Sequence, residues 1–172
     1  MSFWEMAMDT NVRTITMDGD INAALVDRIL REMESTPKGS KILIDIRSTG
    51  GLTGDAERLA QMCLERQCDT VARGILGSAA ILVFLAGTER SVGKDVKIMF
   101  HKGRIDIPAG KFSAAALQEK LDALKAVDMA FAHKVSERTR VISALEALSF
   151  MEQEAVLNGP LAVRYGLADK IV

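Results

Sequence analysis

Strand-like and helix-like runs take turns along this chain, and nothing else in the sequence restricts its fold as much. Val12 to Met17 (VRTITM) alternates apolar and polar residues, the period-two pattern of a half-buried strand, and Asp18-Gly19-Asp20 supplies a turn. Over 22–34 the apolar residues Leu25, Val26, Ile29, Leu30 and Met33 recur at three-to-four spacing, which predicts a helix ended by Pro37 and Gly39. KILIDIR at 41–47 reads as a buried strand running into Ser48-Thr49-Gly50-Gly51. The pattern then repeats: a helix over 53–66 with Leu59, Met62 and Cys63 inward, a strand over 70–75, a helix over 78–87 and a strand over 95–102. Strands alternating with helices of this length pair in parallel through right-handed crossovers, so the fold class is α/β. A long helix is predicted over 113–138. Short helices broken at Asn158-Gly159-Pro160 should follow it, with a terminal strand after Gly166.

A chain of 172 residues supports one domain, taken as 1–172, with a substantial core. Its 22 Lys plus Arg stand against 23 Asp plus Glu, with no run of like charge. Nucleic acid and membrane surfaces are therefore not its expected partners. The N-terminal MSFWEMAMDTN lacks the basic region and apolar core of a signal peptide, and no segment reaches the roughly 18 apolar residues of a membrane span. A soluble, cytoplasmic protein is expected, with Cys63 and Cys68 as free thiols.

Function has to be sought where predicted strands give way to helices, because helix N-termini present unpaired N–H groups there. Two such junctions carry glycine. Ser48-Thr49-Gly50-Gly51 is one; by itself it is an ordinary glycine turn. The other lies in GILGSAAILVFLAG at 74–87, where Ser78 is the one polar side chain among glycine and apolar residues. A buried hydroxyl needs a partner. Ser78 is either a helix N-cap or a nucleophile beside the backbone donors of an oxyanion site, and local sequence leaves both open. A nucleophilic serine needs a base. His101 ends the predicted strand VKIMFH and would meet Ser78 if that strand neighbours the one ending near Gly74. His133, in AFAHKV, reads as a residue on a helix face.

These residues resemble a known family in order and spacing. DGDIN at 18–22 is similar to the strand-to-helix entry of the Clp protease proteolytic subunit, a serine peptidase of the ClpP/crotonase superfamily, and STGG at 48–51 to its Ser-Pro-Gly-Gly segment. Gly74, Ser78 and the AG at 86–87 repeat the spacing around its nucleophile, IMFH at 98–101 resembles its Met-Ile-His, and AVRYGLADKIV resembles its C-terminal signature. The resemblance covers about residues 12–172. It implies ClpP/crotonase-like repeated β-β-α spiral units with the long helix protruding as a handle.

The resemblance also implies a serine endopeptidase acting through an acyl-enzyme, with Ser78 as nucleophile, His101 as general base and backbone N–H groups of Gly51 and Ala79 as the oxyanion hole. The family's aspartate falls at Glu154, with Glu152 as the nearest competitor. No cofactor or metal is implied. The substrate would be a peptide or unfolded protein, and the chain would form a homo-oligomer through the apolar stripe Leu117, Leu121, Leu124 and Phe131, with an AAA+ ATPase as a possible partner. Thr49 replaces the family's proline, Ala79 and Ala80 replace its Met-Gly, and RIDIPAG at 104–110 replaces its glycine-rich segment. A catalytically weak ClpP-like scaffold subunit and a crotonase-type acyl-CoA enzyme are the alternatives.

Overall fold

The computed structural model describes residues 12–172, so the reading of the N-terminal eleven residues lies outside it. The elements run β1 (Val12–Asp18), α1 (Ala23–Ser35), β2 (Lys41–Ser48), α2 (Thr53–Glu65), β3 (Asp69–Gly77), α3 (Ala80–Leu85), β4 (Arg90–Val92) and β5 (Lys97–Met99). They continue with α4 (Ala114–Thr139), α5 (Ala144–Glu152), β6 (Val156–Leu157), α6 (Gly159–Arg164) and β7 (Lys170–Ile171).

The strands order β1-β2-β3-β4-β7, parallel throughout. β3 is long enough to serve two neighbours on one edge: Thr70–Ala72 pair with β4, and Ile75–Gly77 pair with β5. Gly74 (φ 63°) sits between those two halves, where the register against β2 slips between Ile46 and Ser48. The bulge bends the end of β3 toward β5, and a left-handed glycine is what such a bend requires.

Burial explains why the strands were readable. Ile42, Leu43, Ile44 and Ile46 of β2 are all buried, so this central parallel strand is covered on both faces. α1 buries Val26, Ile29, Leu30 and Met33 on one face, and Asn22 caps it by accepting from the Leu25 N–H at 3.0 Å. All six residues of α3 are buried, which is why that segment is apolar all round. Asn158 begins α6 in the same way as a cap, with Pro160 in the first turn.

Three expectations need correction. The strand β4 was hidden, because RSV within a charged loop is too short to carry a period. β6 is antiparallel to β5 in an otherwise parallel sheet. The helix expected to begin at Ser78 begins at Ala80 instead, for a reason that belongs to the site.

Cys63 and Cys68 are both free and fully buried. The hydrogen bond to Cys68, together with burial, pushes the Cys63 thiol up, so it behaves as a small apolar group rather than a reactive one. No helix among the described residues is long and apolar enough to cross a membrane.

The helix α4 divides in two. Asp128, Phe131, Ala132, Val135 and Thr139, all in its second half, are buried, while Leu117 and Leu121 in its first half are 44% and 46% exposed. Every buried residue of this helix lies in its second half; in the first half Leu124 is half-buried beside Gly103.

Candidate active site

β3 ends at Gly77 and the chain must turn at once into α3. Ser78 makes that turn with φ 50°, a left-handed conformation that costs a non-glycine residue about 1–2 kcal/mol. Its N–H donates to Met99 O of the neighbouring β5 at 3.0 Å, which ties the turn to the sheet. A left-handed Ser78 is no N-cap. α3 has no side-chain cap, and among the described residues the Ser78 hydroxyl makes no hydrogen bond. A strained turn that holds a half-buried hydroxyl free of any structural partner points to chemistry more than to capping.

The second glycine junction lies against the first. Gly50 (φ 113°) and Gly51 (φ 145°) carry the chain from β2 to α2 in conformations closed to other residues. The Ile21 N–H donates to Gly50 O at 2.7 Å and the Leu52 N–H to Ile21 O at 2.9 Å, so this segment is pinned beside the end of β1. A Cβ on Gly50 would lie 2.7 Å from the Ser78 Cβ, so only glycine lets the two turns meet. Thr49, where the resemblance would place proline, donates its hydroxyl to Asp20 Oδ1 at 2.9 Å and so anchors the same turn by a side-chain bond. The N–H groups of Gly51 and Ala79 have no partner among the described residues.

His101 reaches this place because β5 is the neighbour of β3. Gly77 and Met99 are register partners, so Ser78 and His101 follow one and two residues later at the same edge of the sheet. Both line a cleft of about 480 Å³ whose lining also includes the apolar Ile105, Leu124 and Val127. No hydrogen bond joins Ser78 to His101 among the described residues. The imidazole Nδ1 lies 2.8 Å from Lys102 O; a carbonyl only accepts, so Nδ1 carries the proton and Nε2 is left as the basic nitrogen.

The carboxylates sort differently. Glu154 is exposed, sits at φ 49° and accepts from Arg104 at 3.2 Å. Glu152 pairs with Lys102 Nζ at 2.8 Å; that hydrogen bond holds its carboxyl below the usual carboxylate range and raises the Lys102 ammonium. Neither glutamate bonds to His101. His133 is exposed on α4, away from the cleft.

One carboxylate near the histidine escaped the sequence reading. Asp128 of α4 is 9% exposed and its Oδ1 accepts from the Gly103 N–H at 2.7 Å. Its signal was there to read: it falls on the same helix face as Leu124 and Phe131, four residues before it and three after, so an acid interrupts the apolar stripe. Among the described residues no group of three or more His, Cys, Asp or Glu side chains is placed to hold a metal ion.

The model of the Clp protease family matches residues 4–172. Among solved structures, the chain is similar to a mutant of ClpP1 from Listeria monocytogenes, with a TM-score of 0.78 and 23% identity over 93% of this chain and 91% of that one. At that identity the likeness concerns the fold. No curated protein matches this sequence.

Proposed function

The chain belongs to the Clp protease family, and on that premise we propose that it is a serine endopeptidase in which Ser78 is the nucleophile and His101 the general base. What carries the reading is the shared cleft: a strained, unpartnered serine and a histidine whose Nε2 is left basic, at the ends of adjacent parallel strands.

In this reading His101 Nε2 takes the Ser78 Oγ proton as Oγ attacks the scissile carbonyl. An unassisted hydroxyl is too weak a nucleophile to do so alone. The N–H groups of Gly51 and Ala79 donate to the oxygen as it gains charge, in an arrangement that costs no reorganisation. The imidazolium then gives its proton to the departing amine nitrogen as the C–N bond breaks. Water, deprotonated by the same Nε2, attacks the acyl-serine; its carbonyl carbon leaves as a carboxylic acid and Oγ recovers its proton. Glu154 is the acid that the family resemblance implies; here its Oε1 accepts from Arg104 and it makes no bond to His101. The apolar wall of Ile105, Leu124 and Val127 suits an apolar side chain of a peptide or unfolded protein.

We read the sheet and its helices as a ClpP/crotonase-like spiral of β-β-α units. The first half of α4 then serves as a handle by which copies of the chain associate, with an AAA+ ATPase as a possible delivery partner.

The experiment is to treat the wild-type protein with a fluorophosphonate and locate the adduct by mass spectrometry. The expected result is one adduct per chain, on the peptide that carries Ser78. An adduct on another serine overturns the mechanism, and a folded protein that takes up none supports a catalytically silent scaffold.

A further inference from the structure

The peptide unit joining Lys102 to Gly103 is held from both ends. Its carbonyl accepts from His101 Nδ1–H at 2.8 Å, and its N–H donates to Asp128 Oδ1 at 2.7 Å. We propose that Asp128 is a positioning residue for the catalytic histidine, acting on the imidazole through this single peptide group; the inference rests on the serine peptidase reading above.

The physical argument has three parts. A carboxylate bonded to an amide N–H polarises that amide and makes its carbonyl a stronger acceptor, because hydrogen bonds in series reinforce one another. The stronger acceptor holds Nδ1 protonated, which keeps Nε2 free to receive the serine proton and favours the imidazolium that follows. This is the work of a triad acid, done at one peptide's remove. Asp128 is also well placed to do it rigidly. Its side chain is buried and comes from the half of α4 that packs on the body, whereas the two glutamates lie exposed and occupied by Lys102 and Arg104. Finally, residue 103 lies close against that acid: a Cβ there would come 3.1 Å from Asp128 Oδ1 and 3.3 Å from Leu124 Cδ2, so a side chain would press on the contact.

The test uses the full chain as wild type, Asp128→Asn and Asp128→Glu. Asparagine keeps the shape and an accepting oxygen but removes the charge. The spectroscopic reading is the position of the Gly103 amide proton and of the His101 Nδ1 proton by NMR, neither of which depends on turnover. Both should lie downfield in the wild type, move upfield together in Asp128→Asn and return part of the way in Asp128→Glu. On a peptide substrate, kcat should fall about tenfold in Asp128→Asn with KM unchanged, as expected when an orienting bond is weakened and the binding cleft is left intact. A residue that merely anchors α4 would lower thermal stability and leave the His101 proton where it was.

An unmoved His101 Nδ1 resonance in folded Asp128→Asn overturns the proposal. So does a wild-type imidazole proton without the downfield position of a hydrogen bond, which decides the matter even if the variant does not fold. If both resonances move but the wild-type protein neither turns over peptides nor takes the fluorophosphonate, the coupling stands and the peptidase reading falls.

Discussion

With Ser78 as the proposed nucleophile, Ser78→Ala should lower peptide turnover by about four orders of magnitude or more, since removing a triad nucleophile leaves only binding and oxyanion stabilisation. The same variant should take up no fluorophosphonate. Because Ser78 occupies the left-handed region, the choice of replacement carries a second reading. Alanine keeps the Cβ that makes this conformation unfavourable, whereas glycine removes it, so Ser78→Gly should be at least as stable as Ser78→Ala and equally inactive. Thermal unfolding beside a turnover assay measures both. Wild-type turnover in either variant would remove Ser78 from the mechanism, and a Ser78→Gly clearly less stable than Ser78→Ala would argue against the strained turn.

The second large effect is structural first and chemical second. A Cβ on Gly51 would collide with the backbone of Ile21, lying 2.7 Å from its N and closer still to its O, and at φ 145° no side chain is comfortable. These are main-chain atoms held in the bridge between Ile21 and Gly51, so they cannot swing aside. Gly51→Ala should cost about 3 kcal/mol or more from backbone strain and overpacking together, a fall in melting temperature of about 10 °C for a chain of this size. With the Gly51 N–H as a proposed oxyanion donor, the molecules that remain folded should still be slow by about two to three orders of magnitude, because a shifted turn would no longer aim it at the oxyanion. Melting by circular dichroism and turnover per folded molecule separate the two. A Gly51→Ala protein of unchanged stability would mean that the turn does not lie against Ile21.

The sequence carries the sheet better than it carries the site. The strands β1, β2 and β3 and the helices α1 and α2 declare themselves because each buries one face or both, and burial imposes a period on the residue pattern. β4 and β6 have three and two residues, too few for any period, and they exist because β3 and β5 offer them an edge. The site depends on partners far along the chain. Whether Ser78 caps a helix or turns left-handed is decided by Met99 and by the glycine pair at 50–51, and the same local residues suit either outcome. Glu154 can be counted back from Tyr165, but its engagement with Arg104 spans 50 residues and leaves no trace in the local pattern. Asp128 was legible as an acid on an apolar stripe; what it accepts from, 25 residues earlier, was not.

The division of α4 into a packed half and a bare half has a consequence for amide exchange. At 1.5 Å per residue its 26 residues extend about 39 Å, and the first half buries no side chain and touches the body chiefly through Leu124. A helix of about a dozen residues without tertiary support is marginal in water. Deuterium uptake over 114–126 of the isolated chain should therefore run near the rate of a fraying peptide, while the second half, anchored by Phe131, Ala132 and Val135, exchanges with the core. Slow uptake over 114–126 would have to come from outside the chain. If copies of the chain associate through this half, as proposed, that stretch of backbone becomes, across a dilution series, a gauge of how much of the protein is covered by another copy.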